Sequence, residues 1–496
     1  MPKYIGLTIG PIYDTIVKAK KIKEIWLASY VFSYLMKKIV ENFQGYEILI
    51  PISHDNSQNE QKTGNFPDRF IFKPENDNDF KKLKDITESV LKELEDKYSN
   101  NNLRNYFQIY FLEKEFNAVK YSDVVNEIYK YLDSFDNMKR FSDKSIDILK
   151  IILPEDKDKQ FLFEEAGYNG REKKFPMLFE IAAAEHKTFF KDSIERGQNF
   201  DDDDKFYIKL QEYLNEEIKS KLLKPYKYIA VVTLDGDNFS EKLKKMENDE
   251  YNKFSKTVSK FSNYADKEIV KYGGLPIYAS GDEALFVAPV INMNESMSAK
   301  NIFQFIEKIK NNFQNIFQEK YKDVSISFGV NISYYKFPIG ESIKHSYEQL
   351  EKAKKKKDKN SVAFKLMKHS GQIAESIFKF DSEEYKEFLK IIDDRADLNL
   401  LSSILFKTEN FDAFLKSIVT EENLSKNFEN IELKINNFFI NFFNEDIHNK
   451  NRHIIENIKD FLLKIMKSQN VDLENKFFSF YSSMRTVKFL RESINE

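Results

Sequence analysis

Four carboxylates in two short stretches are the side chains best placed to do chemistry. TLDGDNF (233–239) sets Asp235 at the end of an apolar, β-branched run, with Gly236 letting the backbone turn and Asp237 beyond it. GGLPIYASGDEALFVAP (273–289) sets Asp282 and Glu283 in the four-residue turn Ser280-Gly281-Asp282-Glu283 between two apolar runs. If the two strands are neighbours, Asp235 and the hairpin tip meet at one edge. Carboxylates gathered there repel each other and lose solvent, so some would protonate unless a cation joined them. Mg²⁺, or Mn²⁺, suits such a site, because it takes hard oxygen ligands and keeps positions open for water and phosphates. Two such ions about 4 Å apart can activate a 3′-hydroxyl and stabilise a leaving pyrophosphate. Either stretch alone reads equally well as a helix cap or an ordinary turn. Both together, on strands of matching character about 45 residues apart, favour the cation site.

Other candidates are weaker. In EKAKKKKDKNS (351–361) Lys354 or a neighbour can hold a triphosphate as a point charge, or the run can be a solvated helix end. His54-Asp55 is the start of a metal-phosphohydrolase pattern, but no histidine precedes it and the five that follow are scattered, so it reads as a loop dipeptide. No P-loop, dinucleotide fingerprint or zinc-protease helix is present. The absence of cysteine excludes disulfides, thiolate zinc sites and a cysteine nucleophile together.

The elements that must position these residues follow from pattern. The 496 residues exceed what one core supports, and 46 Phe with 26 Tyr supply large apolar interiors. A net charge of −3 gives no global basic field. The first residues lack a secretory signal and no run reaches the length of a membrane span, so a cytoplasmic protein of several domains is expected. Residues 1–150 read as α+β: a strand at 3–10, a long helical pattern opened by Pro11, strands at 46–52 and 68–74, a helix at 78–99, the strand NYFQIYFLE and a helix at 121–135. Residues 151–222 read as helical and charged, with DDDDK (201–205) a solvated loop or helix start. Residues 223–375 give strand, helix, hairpin, helix, strand, helix, and 376–496 read as a helix bundle poor in Gly and Pro.

Several motifs, in order, resemble the large polymerase/cyclase subunit of type III CRISPR effector complexes in its type III-B (Cmr) form. The opening IGPIYDTIVKAKKIKEIWLASYVFSYL is similar to the start of that family, and FPDRFIF to its P-N-R-F segment. LDGDNF and YASGDEALF resemble its D-G-D-N-M and G-G-D-D motifs, and ISFGVNISYYKFP with the following EKAKK resembles a further conserved stretch. The resemblance spans residues 5 to about 375. It implies two ferredoxin-like palm domains facing each other, a helical insert between them and a C-terminal helix bundle, with only the second palm carrying the metal motif. It also implies adenylyl transfer from ATP, activated by target RNA, to make a nucleotide second messenger for antiviral defence. Carried onto this chain, Asp235, Asp282 and Glu283 hold Mg²⁺ with the Gly236 carbonyl. Asp237, Ser280, Gly281 and Lys354 then face ATP. Partners implied are other subunits of the complex, guide RNA and target RNA, with no membrane.

Departures from the family pattern sharpen the expectation. The chain begins at the first palm-like block rather than at an HD-type nuclease domain, so DNA cleavage is not expected. Phe163-Glu164-Glu165-Ala166-Gly167 stands where relatives have a Cys-x-x-Cys-Gly zinc knuckle, so no zinc is expected. Glu283 replaces an Asp and Ser280 a Gly. Asp68 replaces the Asn of P-N-R-F, adding a carboxylate on the acceptor side. It would repel a triphosphate and attract an ammonium or sulfonium group, or it simply pairs with Arg69 or caps a turn. Some relatives without the nuclease domain, which this chain resembles, join ATP to S-adenosylmethionine. The resemblance thus implies an AMP conjugate of S-adenosylmethionine as the favoured product, with Asp68, Arg69, Glu164 and Glu165 around the acceptor. The alternatives are a cyclic oligoadenylate, a silent RNA-binding scaffold, and a free-standing diguanylate-cyclase-like enzyme. The N-terminal block and helical tail argue against the last, and the intact carboxylates against the scaffold.

Overall fold

Strands whose side chains are buried on both faces need cover on both, and the inner strands of two sheets are of this kind. The computed structural model describes residues 1–51, 63–117, 120–136, 146–153, 161–168, 175–186, 203–218, 221–317, 320–394, 397–420, 423–424, 427–443 and 451–493. His54-Asp55 and the start of DDDDK lie outside the described residues.

The first sheet is antiparallel, in the order β2-β3-β1-β4, built from β1 (Lys3–Gly10), β2 (Glu47–Ile50), β3 (Arg69–Lys73) and β4 (Gln108–Glu115). With α1 (Ile12–Lys18) and α2 (Ile22–Glu41) after β1, and α3 (Asp79–Tyr98) after β3, this is the ferredoxin-like order. The long helix expected after Pro11 is two helices. The backbone N–H groups of Lys20 and Lys21 both donate to Glu24 Oε2, at 2.7 and 3.2 Å, which caps a new start. α2 buries Trp26 against Phe163 and Tyr30 and is covered by sheet and insert together.

The second sheet runs β10-β9-β8-β5-β7-β6. Its core comprises β5 (Tyr228–Asp237), β6 (Leu275–Ser280), β7 (Glu283–Pro289) and β8 (Ser325–Tyr334), which repeat the strand order of the first sheet. α5 (Asn248–Tyr272) and α6 (Ile302–Phe317) supply an aromatic layer, with Phe254, Phe313 and Phe317 around Phe239. α7 (Ile339–Lys354) follows β8 and crosses the face that carries Thr233 and Asp235.

Residues from 361 correct the sequence reading. β9 (Ser361–Met367) joins β8 in parallel and β10 (Ile373–Lys379) closes the edge, so the sheet continues to residue 379 where helix was expected from about 375. The C-terminal helices begin at Glu383, and the last of them, Lys476–Phe489, lies against β10 through Ser376, Ser479 and Ser483. Between the sheets the chain forms short helices at Phe161–Glu165, Leu178–Ala182 and Asp203–Tyr213. Thus the architecture is α+β, two palm-like sheets with an insert and a helical tail. No described helix is long and apolar enough to cross a membrane.

The two sheet units meet through α4 (Tyr121–Asp136), whose Tyr121 ring packs edge-on against Tyr251 of α5. Asn248 accepts from the Tyr121 backbone at 2.7 Å. Gly64, in the segment between β2 and β3, pairs with Tyr278 of β6.

Candidate active site

Asp235 and Glu283 are directly opposite each other in the β5–β7 ladder, and Ser280 is opposite Glu283 across β6–β7. Register therefore gathers the carboxylates that lie far apart in sequence. The turn between β6 and β7 is made by Gly281, whose φ of +64° lies in the left-handed region that favours glycine. Gly236 has a different role: a Cβ there would stand 2.7 Å from Asp282 Oδ2 and 2.5 Å from the Phe239 ring. Only glycine lets the hairpin tip close onto β5, where the Gly236 N–H donates to the Asp282 carbonyl at 3.1 Å.

The electrostatics follow from crowding. Burial and then the Asp235 charge push Asp282 up to about 6, and burial with Asp235, Asp282 and Asp68 pushes Glu283 up to about 8. Glu283 is itself solvent-exposed at the hairpin tip, with the Asp235, Asp282 and Asp68 charges acting on it. Burial also raises Asp235, against the pull of Lys354. The Lys354 ammonium, at the end of α7, donates to Asp235 Oδ2 and, at 3.2 Å, to the Gly236 carbonyl. Two tyrosines not singled out in the sequence complete the wall. The hydroxyls of Tyr278 and Tyr347 are 2.9 Å apart, and both rings sit in the field of Glu283 and Asp235. Tyr13 of α1 meets Tyr347 edge-on, with ring centroids 5.9 Å apart.

Asp68 stands at the entry to β3 and acts on Glu283 across the gap between the units. Arg69 is turned into its own unit, bonded to Asp133 at 2.5 Å with its guanidinium over Tyr129. Glu164 and Glu165 belong to another neighbourhood: Glu164 acts on Tyr98, and Glu165 on Tyr30 and Tyr34. Asp237 is corrected. It is fully buried, and its Oδ2 accepts from Ser325 and Ser327 at 2.8 Å and from the Asn360 N–H at 3.0 Å. A carboxylate clasped by three donors inside the fold is not presented to ATP; it locks β5, β8 and the 355–360 loop together.

A divalent ion fits this donor set. The Asp235 carboxylate and Gly236 carbonyl already converge on one cationic group, and Asp282 and Glu283 stand beside them. Among the described residues no group of three or more acidic or histidine side chains is gathered closely enough to hold a metal ion by itself. The convergence of three or four carboxylates on one point is thus looser than the sequence suggested. An open set of this kind leaves positions for water and phosphate oxygens, as Mg²⁺ prefers.

Comparison with known proteins bears on the same residues. The family described as Cas10/Cmr2, second palm domain, matches residues 228–363, and CRISPR-associated protein Cmr2, N-terminal, matches 4–101. No curated protein matches by sequence. Among solved structures the fold is shared with a type III-B Cmr-beta complex in its apo state, at 12% identity and a TM-score of 0.54 over 88% of this chain and 77% of that one. It is also shared with a Csm1–Csm4 cassette in complex with cA4, at 11% identity and a TM-score of 0.53 over 94% of this chain and 69% of that one. One in complex with pppApA gives the same identity, TM-score and coverage. With both palm-like sheets in the expected order and the family motifs on β5 and the β6–β7 tip, the chain belongs to the Cas10/Cmr2 family.

Proposed function

We propose that this chain is the catalytic subunit of a type III-B, RNA-guided effector complex, and that it transfers the adenylyl group of ATP to an acceptor with release of pyrophosphate. The observation that carries the reading is the pairing of Asp235 with Glu283 across β5–β7, with Asp282 beside them, Lys354 above and Asp68 facing from the other unit. Guide RNA, target RNA and the other subunits are its partners in this reading. One of the similar structures is of Cmr-beta bound to cognate target RNA, at 13% identity and a TM-score of 0.50.

Mg²⁺, held by Asp235, the Gly236 carbonyl and the Asp282–Glu283 corner, would polarise the reacting phosphate and offset its charge. The chain's own residues do the positioning. Asp235 is fixed by the strand ladder and Gly236 by its contact with Asp282. Lys354 reaches the donor phosphates from the end of α7, and the walls formed by the two units restrict water.

The acceptor is S-adenosylmethionine in the favoured form, giving its AMP conjugate as second messenger. Asp68 supports this, because a carboxylate facing Glu283 makes the acceptor side hostile to a triphosphate and favourable to a positive group. The other reading, a cyclic oligoadenylate, draws support from the Csm1–Csm4 cassettes of like fold in complex with cA4 and pppApA. The assembled complex with guide RNA, Mg²⁺, ATP and target RNA, with and without S-adenosylmethionine, separates them by product mass. A conjugate is expected only with S-adenosylmethionine, and Asp68→Asn should shift products toward oligoadenylates. Oligoadenylates with either mixture refute the favoured acceptor, and no product from bound target refutes the transferase.

A further inference from the structure

The Lys354 ammonium donates to Asp235 Oδ2 and to the Gly236 carbonyl oxygen. These are the two oxygens on β5 that a divalent ion would need, so ion and ammonium compete for one set of ligands. We propose that Lys354 is a resident counter-cation of the metal site, displaced by the arriving ion and thereby released to meet the donor phosphates. The proposal rests on the metal-dependent reading above and adds an order of events to it.

Three features make exchange feasible. The Lys354 and Asp235 side chains are each 26% exposed, so an ion and its water have a route in. Lysine carries its charge on a flexible four-carbon stem, which can swing without moving the helix. The backbone beneath it is also held. Asp358, Lys359 and Asn360 lie in succession in the left-handed region, with φ of 61°, 49° and 47°. L-residues adopt that conformation rarely, and such runs persist only where the surroundings impose it. Here the Asn360 N–H is bonded to Asp237 at 3.0 Å, and Lys359 Nζ to Asn238 at 3.3 Å. Lys356 Nζ is bonded to the Asn470 carbonyl of the tail at 2.6 Å. The strap stays fixed and the ammonium is the part that moves.

Charge favours a resident cation too. Asp235, Asp282 and Glu283 share one corner with Asp68 opposite, and Lys359 is the second positive group acting on Asp235. Removing Lys354 therefore leaves the corner more negative and its oxygens uncontested.

The test uses the full chain and Mn²⁺ without nucleotide, read by electron paramagnetic resonance. Lys354→Met should bind Mn²⁺ at least ten-fold more tightly than wild type; an affinity unchanged or weaker overturns the proposal. Because that variant can lose its fold, a second measurement uses wild type alone. Acylation of the Lys354 amine, followed by peptide mass spectrometry, should quicken several-fold on saturation with Mn²⁺. A rate insensitive to Mn²⁺ overturns the exchange. Wild type that binds no Mn²⁺ dependent on Asp235 refutes the metal site itself, and the exchange with it. Exchange without nucleotide product would instead refute only the transferase.

Discussion

Gly329 of β8 offers a way to disturb the site from outside it. α7 crosses the sheet so closely here that a Cβ would lie 2.1 Å from the Ser346 carbonyl oxygen and 2.2 Å from the Leu350 nitrogen, both backbone atoms. Gly329→Ala must therefore lift α7 by about 1.2 Å to reach ordinary contact. The move would loosen Ile339, Ile343 and Ala353 from the sheet and stretch the bond from Thr233 Oγ1 to the Ser346 carbonyl. Overpacking of this kind costs about 1–3 kcal/mol, and the rigidity of both clashing partners puts this case near the top. Lys354 rides on the end of α7, so the root of its side chain would shift by up to about 1 Å; its flexible stem takes up part of that, and the rate should fall on the order of ten-fold. The assays are the denaturant midpoint of the full chain and target-RNA-dependent nucleotide production by the complex. Gly340→Ala is the control. It lies in the same helix with its nearest contacts at 3.5 and 3.6 Å, and should be neutral or slightly stabilising. Gly329→Ala within about 0.5 kcal/mol and threefold of wild type would refute the claim that α7 packing places Lys354.

Two further outcomes are expected. Asp237→Ala should cost about 3–5 kcal/mol, as it leaves Ser325, Ser327 and the Asn360 N–H without their common acceptor and frees the 355–360 loop; urea unfolding measures it. Asp282 and Glu283 are raised to about 6 and about 8, so folding favours their protonated forms. In EDTA that stability is fully present below the unfolded carboxylate range and is lost as pH rises through 6 and then 8. Melting temperature should fall across that window and Mg²⁺ should restore it; a flat profile in EDTA would contradict the crowding of the corner.

Much of the fold was legible because its elements obey simple periods. β5 is buried along its length, and α5 and α6 carry regular apolar stripes beside polar faces. β9 and β10 were missed for a physical reason. The inward face of β10 is Ala374, Ser376 and Phe378, and the middle residue is buried against the hydroxyls of Ser479 and Ser483. An inward serine satisfied by distant serines looks polar in the sequence, so the alternation that marks a strand is broken. The candidate site shows the same boundary. Asp235, Asp282 and Glu283 were legible because a hairpin between apolar runs exposes its tip. Asp237 was misread because its three donors come from residues 88 to 123 positions away. Tyr278 and Tyr347 carry no local signal among 26 tyrosines; only the approach of α7 to β6 pairs them.

The repeated strand order has a consequence for direction. β3 begins just after Asp68 and β7 begins at Glu283, so equivalent corners of two like halves oppose each other, as in a twofold dimer joined into one chain. Two identical halves would leave donor and acceptor free to trade places. Here the symmetry is broken: β5 carries Asp235 near its end, where β1 finishes in Ile9 and Gly10. Fusion lets one half lose its ion ligands while the other keeps them, which a true homodimer cannot do. In the proposed reaction this makes the chemistry one-way, with the activated nucleotide always on the second half and the recipient always on the first.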